Sequence, residues 1–393
     1  MYQKTFVMNS FNRRNFIKKT SAGAAGLAIA SQLQSNNNLT SKKKSKTIKR
    51  KLGKTGIKVP ILSIGCGGLD SPSIIKAALK VGITHFDTAH TYQKGNSERI
   101  LGETLKTYDR NTYTIATKVR PQSTEEKFLS MLDESLERLQ TNYVDILYLH
   151  SIKSYDEALN KTSLAALKKA KDSGKVKHIG ISTHKNEPEV IQAAIDSNLY
   201  EVILTAINFK QEHNEEIKQK VALAAKNGIG IVAMKVMAGG FLDTEKTQAV
   251  NYKAALKWVL KDKNFHTSIP SMVNLEQLQA NMPILFDLSL TEKELQDLTL
   301  DKQKTGLYCN ACEKCVPQCT KKLPIPELMR AYMYSYGYQN PKQAKELLTS
   351  LNINQNPCIG CNQCKVSCVK NFNVSKKIKD ISQLSNIPDE FLA

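Results

Sequence analysis

Asp87 and Tyr92 place an acid and a phenol five positions apart, just after a short apolar run. These are residue types suited to proton transfer. Thr84 to Phe86 reads as the end of a strand, so Asp87 caps it and Tyr92 lies on the following loop. Two further polar side chains end later apolar runs in the same way: Lys118 closes Tyr113 to Lys118, and His150 closes Val144 to His150. The spacings are 31 (87 to 118) and 32 (118 to 150), close to one strand plus helix plus loops. Residues that end parallel strands at one such period meet at one mouth of a barrel.

The second set of reactive side chains is sulfur. Cys309, Cys312, Cys315 and Cys319 follow an x2, x2, x3 spacing, and Cys358, Cys361, Cys364 and Cys368 repeat it. Three closely spaced thiolates can cover one face of a cubane cluster, while the fourth usually reaches across to the partner cluster. The repeat therefore points to two [4Fe–4S] clusters. Zinc would need only paired Cys-x2-Cys ligands, and disulfides would not require a repeated spacing. Thr320 and Val369 stand where a Pro commonly follows the fourth cysteine, and the insert from Pro326 to Leu351 reads as largely helical. The ninth cysteine, Cys66, suits a small buried position at the end of the first strand.

The elements that would position these groups follow from periodicity. Strand candidates are 61–65, 84–87, 112–118, 144–150, 177–182, 202–208, 229–235 and 266–270, each followed by a helical pattern. Eight such units predict an α/β chain built as a (β/α)8 TIM barrel. A doubly wound open sheet is the alternative, but no Gly-x-Gly-x-x-Gly turn follows the first strand. The barrel is expected over 50–300. A small C-terminal ferredoxin-like iron–sulfur domain with a helical insert should follow over 301–375, then a tail over 376–393.

The formal charge of +20 suggests nucleic acid until its location is considered. Residues 1–54 hold 13 Lys and Arg and no acid, so most of the excess precedes the first strand, without interleaved aromatic residues. No nucleic-acid partner is expected. Arg13-Arg14, the short apolar run Thr20 to Ala30 and the small-x-small Ala28-Ile29-Ala30 resemble a twin-arginine export signal over 1–30. A disordered basic tail is the alternative. The run is too short to span a bilayer, and 31–49 reads as an unstructured linker. Export of the folded chain through that machinery, to a periplasmic or other extracytoplasmic place, is the expectation.

The segments Arg50 to Gly56, Phe86 to Ala89, Ser97 to Gly102, Ser135 to Leu139, Gly180 to His184 and Ile269-Pro270 resemble the aldo-keto reductases. With the cysteine segment behind them, the chain is similar to the iron–sulfur branch of that family. The resemblance implies a catalytic tetrad of Asp87, Tyr92, Lys118 and His150. A carbonyl that receives hydride gathers negative charge on oxygen and needs a proton. Tyr92 would supply it, Lys118 would lower the phenol's pKa, Asp87 would hold Lys118, and His150 would orient the carbonyl.

The resemblance also implies a nicotinamide cofactor, NAD(P)(H). Gly67 and Gly68 would pass near it, Ser182 and Asn208 would hold its amide, Met234 would face its ring, and Asn281 would meet its adenine. Thr183 and Leu204 depart from the usual amide-binding residues. Ser271 and Gln277 stand where cations would grip a 2′-phosphate, which weakens any preference for NADP. The expected substrate is a small carbonyl or alcohol, with a redox protein as a further partner for the clusters. An iron–sulfur electron carrier with a silent barrel is the competing reading.

Overall fold

A strand covered on both faces by helices reads as near-continuous Val, Ile and Leu, and the apolar runs of this chain do so. The computed structural model describes residues 46–302, 305–361 and 364–392. A hairpin not anticipated from the sequence comes first, β1 (Lys49–Lys51) paired antiparallel with β2 (Lys58–Pro60). The expected strands follow in order as β3 (Ile64–Gly65), β4 (His85–Asp87), β5 (Thr114–Val119), β6 (Val144–Ile152), β7 (Val176–Thr183), β8 (Val202–Ala206), β9 (Gly230–Met234) and β10 (Thr267–Ser268). Each of the eight pairs in parallel with the next. The first and last strands are shorter than expected because their flanks join only through single bridges, Leu62 to Ser268 and Gly65 to Ser271. Those bridges close the sheet into a (β/α)8 barrel.

Alternation along each strand sorts its side chains between inside and outside. Ala116, Ile146, Tyr148, Val202, Leu204, Val232 and Ile269 form one buried cluster inside the barrel. Leu52 and Val59 of the hairpin join that cluster and stop one end of it. Arg50 ties the hairpin down by donating to the carbonyls of Asp262 at 3.2 Å and Leu260 at 2.6 Å. The opposite end is where the chemistry lies. Lys118 is two residues beyond Ala116, and His150 is two beyond Tyr148, so both continue the interior rows. Room for the Tyr148 ring comes from Gly180, where a Cβ would lie 2.4 Å from a ring carbon.

The expected leader 1–30 and linker residues 31–45 lie outside the described residues. Among the described residues, no helix is long and apolar enough to cross a membrane.

Beyond the barrel, helices Ile325–Tyr336, Pro341–Ser350 and Val374–Ser382 pack around a core of their own, which includes Leu328, Ala331, Leu348 and Ile381. The helical insert is present. No strand occurs among the described residues after 305, so the segment shows no ferredoxin-like sheet. The stretch expected to be a tail supplies most of helix Val374–Ser382 instead, because Ile378 and Ile381 are buried in that core.

This helical layer is seated on the barrel loops. Gly306 N–H donates to Leu242 O at 2.9 Å, and Gly239 N–H donates to Tyr338 Oη at 3.3 Å. Lys185 pairs with Glu313 at 2.5 Å, and Lys153 with Glu327 at 3.4 Å. At the tightest approach a Cβ on Gly337 would lie 2.2 Å from Gly239 O, so the two backbones meet without a side chain between them. Gly337→Ala should therefore lower stability by about 1–3 kcal/mol, as overpacking does. Denaturant midpoints will show it; an unchanged midpoint would mean that the layer does not rest on that loop.

Candidate active site

The three strand-end residues and Tyr92 come together at the open end of the barrel. The Lys118 ammonium bonds to Asp87 Oδ1 and donates to the Thr88 carbonyl at 2.5 Å. It lies 4.8 Å from the centre of the Tyr92 ring. The Tyr92 and His150 rings are 6.0 Å apart, edge to face at 83°. Asp87 Oδ2 and His150 Nδ1 are buried without a partner.

Tyr92 departs from expectation in its acidity. Burial pushes the phenol well above its usual value, the Asp87 charge pushes the same way, and the cation that opposes them is Arg120. Asp87 and the Thr88 carbonyl engage the Lys118 ammonium, which stays 4.8 Å from the centre of the phenol ring. Tyr92 thus rests as a neutral acid. Burial, with the positive charges of Lys118, Arg120, Arg330 and Lys235 behind it, holds His150 well below the usual imidazole range. It is a neutral ring, still able to donate from N–H.

A cleft of about 1600 Å³ opens over these groups. Among the residues assigned to the cofactor, Gly67, Ser182, Met234, Ser271 and Asn281 line it. Ser182 Oγ accepts the Ser151 N–H at 2.8 Å, and Asn281 is buried with Oδ1 unpartnered. Gly68 and Asn208 are not on the wall. Gly68 packs against Asn340 at the start of helix Pro341–Ser350 and against Val273. Asn208 Oδ1 accepts the Lys210 N–H at 3.0 Å, and its Nδ2 is buried without a partner. Leu204 lines the cleft, whereas Thr183 Oγ1 is turned to the carbonyls of Ile152 and Lys185, both at 2.8 Å. Gln277 lines the cleft near Ser271, with the acid Glu276 beside it.

Among the described residues no two cysteines form a disulfide, and Cys66 is fully buried as expected. The thiols that bear on Cys309 are Cys368, Cys315 and Cys312, and those that bear on Cys358 are Cys364, Cys319 and Cys361. Each motif thus contributes its first three cysteines to one group and its fourth to the other. Gln318 binds the two motifs together, accepting the Ser367 N–H at 2.7 Å and donating to its carbonyl at 3.4 Å. Among the described residues no three such side chains are drawn into a closed ligand set. The donor chemistry and the crossed grouping both fit two four-thiolate clusters.

Residues 70–254 match the Aldo/keto reductase family model. An aldo/keto reductase domain thus forms the barrel. A probable aldo-keto reductase of Glycine max is 27% identical over 307 residues, covering 63% of this chain and 87% of that one. L-Galactose dehydrogenase of Arabidopsis thaliana is 27% identical over 298 residues, covering 65% and 91%. In fold, the chain is similar to the holo form of an aldo-keto reductase from Bacillus halodurans, with a TM-score of 0.56 at 23% identity, covering 65% and 96%. The cysteine segment lies beyond the matched residues of the aldo/keto reductase domain.

Features missed from the sequence lie mostly in the roof over the aldo/keto reductase mouth. Arg330 and Tyr334 of helix Ile325–Tyr336, and Gln343 and Glu346 of helix Pro341–Ser350, all line the cleft. Lys235, one residue past β9, does so too, and so does Arg120, one residue past the end of β5. The Tyr92 loop depends on this roof. Gln93 and Lys94 both have left-handed backbones, at φ 51° and 54°, which costs about 1–3 kcal/mol each. Gln93 is held by its side chain on Leu69 O at 3.1 Å, and its N–H faces the Glu346 carboxyl.

Burial raises the Glu346 carboxyl to about 7 from 4.5. Such a group binds its proton more tightly when folded, so its stabilisation is full below the unfolded value and is lost as pH rises toward 7. Between pH 4.5 and about 7 the wild type should lose stability relative to Glu346→Gln. Denaturant midpoints of both proteins across that range test this, and a constant difference between them would contradict it.

Proposed function

We propose that this chain is an oxidoreductase of aldo-keto reductase type, interconverting a carbonyl and an alcohol. The observation that carries the reading is the convergence of Asp87, Lys118, Tyr92 and His150 at the floor of a deep cleft. A nicotinamide cofactor would supply hydride to the carbonyl carbon, or accept it from the alcohol carbon. Tyr92 gives its proton to the oxygen, leaving a phenolate that the nearby Lys118 ammonium stabilises until solvent restores the proton. Neutral His150 donates to the same oxygen and fixes its direction. Asp87 keeps Lys118 charged in a place where a lone ammonium would be costly.

The residues present fit that cofactor. Ser182, Met234, Ser271 and Asn281 line the cleft, and the unpartnered Oδ1 of buried Asn281 needs a donor. Ser271 and Gln277 carry no positive charge and Glu276 is an acid, so the reading takes NAD(H) over NADP(H). Asn208 is left out of the cofactor set.

The C-terminal segment would hold two [4Fe–4S] clusters, one on Cys309, Cys312, Cys315 and Cys368, the other on Cys358, Cys361, Cys364 and Cys319. When bound, they supply one-electron exchange with a redox partner protein, or brace the roof. The leader is carried in this reading as a twin-arginine signal that exports the folded chain.

In anaerobically reconstituted protein, iron and labile sulfide should match two clusters per chain. Tyr92→Phe should slow carbonyl reduction roughly 100- to 10,000-fold while cluster absorbance stays unchanged. Turnover by the variant within about twofold of wild type would remove the phenol from the mechanism.

A further inference from the structure

The roof brings more positive charge to the mouth than the tetrad can use. Arg120 enters from the barrel, one residue past the end of the strand that carries Lys118, and Arg330 enters from helix Ile325–Tyr336. Lys235 lines the same cleft, its ammonium 5.4 Å from the centre of the Tyr334 ring. Their counter-charge is thin. Glu327 Oε1 is shared between Lys153 at 3.4 Å and Arg330 at 4.0 Å, which leaves Arg330 short of a full ion pair. Among the described residues, Arg120 and Lys235 have no ion pair. Asp87 is taken by Lys118.

Charges withdrawn from water without a partner are unfavourable, and the surroundings bear this out. Burial and Arg330 lower the Arg120 guanidinium below its usual value, and the same two causes take Lys235 well below its own. An oxyanion entering the cleft would accept charge-assisted hydrogen bonds from both guanidinium groups and relieve the repulsion between them.

The position of the pair says which molecule would carry that anion. Ser271 and Asn281, which the proposed cofactor needs, follow β10 on one side of the cleft. Arg120 acts on the Tyr92 phenol, and both arginines act on His150. An anion held there is therefore attached to the molecule whose oxygen Tyr92 and His150 address.

We propose that the substrate is an anionic carbonyl or alcohol, bearing a carboxylate or a phosphate that Arg120 and Arg330 clasp while its reacting oxygen meets Tyr92. This rests on the oxidoreductase reading above. It makes the roof part of the substrate site: an aldo/keto reductase barrel without helix Ile325–Tyr336 would lack half of the clasp.

The test has a kinetic arm and a binding arm, both on reconstituted full-length protein. In the first, butanal is compared with succinate semialdehyde, and glycolaldehyde with glycolaldehyde phosphate. The charged member of at least one pair should have kcat/KM about tenfold or more above its neutral partner. The better pair tells carboxylate from phosphate. Arg120→Gln and Arg330→Gln should reduce that preference about tenfold through KM, and Arg120→Lys should keep part of it.

In the second arm, malonate and inorganic phosphate are titrated calorimetrically at constant ionic strength. One of them should bind to wild type and weaken about tenfold in either Gln variant, well beyond any change in NADH affinity. Equal turnover of charged and neutral partners overturns the proposal. So does a loss of NADH affinity as large as that of the anion, which would give the arginines to the cofactor. If no aldehyde reacts yet an anion binds through both arginines, the oxidoreductase reading falls and the anion site stands.

Discussion

An ammonium and a carboxylate with almost no water around them set the terms for the barrel mouth. The Lys118 and Asp87 side chains are 2% and 1% exposed, and breaking such a pair by removing one partner costs about 3–5 kcal/mol. The pair holds only if β4 and β5 stand in register, with Asp87 beside Ala116 and Lys118 one interior position above it. A slip of one residue would turn Lys118 out toward the helices. The same register sets Lys118 beside Tyr148, and so places His150 one interior position higher on β6. The geometry of the site is thus the geometry of the barrel, fixed by the apolar rows beneath it.

The roof adds what the barrel alone lacks. Through Glu346 it holds the strained turn after Tyr92, and through Arg330 it completes the ring of charge above His150. It also links the two centres of the molecule. Lys235 bears on Cys309 as well as lining the cleft. A change in charge at the first cysteine group would therefore be felt at the cleft across one or two side chains.

Much of the barrel was legible in the sequence because its signals are local. The apolar runs, the helical segments between them and the polar residues at 87, 118 and 150 follow from periodicity. The repeated cysteine spacing needed no structure either. What stayed hidden depends on contacts between distant segments. Nothing in the helical insert says that it folds back over the barrel mouth, so Arg330 and Glu346 carried no sequence signal beyond being charged residues on a helix. Arg120 carried a faint one, two positions past Lys118. The crossed grouping of the fourth cysteines was expected from the spacing, and the structure adds the Gln318 to Ser367 link between the motifs.

The central claim is that a buried, paired ammonium supports a phenol acting as the proton carrier for hydride transfer. Its most direct test is a single turnover: an alcohol substrate is mixed anaerobically with protein holding bound NAD, and the absorbance of reduced nicotinamide is followed. Wild type should form it in one phase. Lys118→Met, which removes the charge while keeping an unbranched chain, should form it at least about 100-fold more slowly. Equal rates in the two proteins, or no reduced nicotinamide in wild type with any alcohol, would contradict the account.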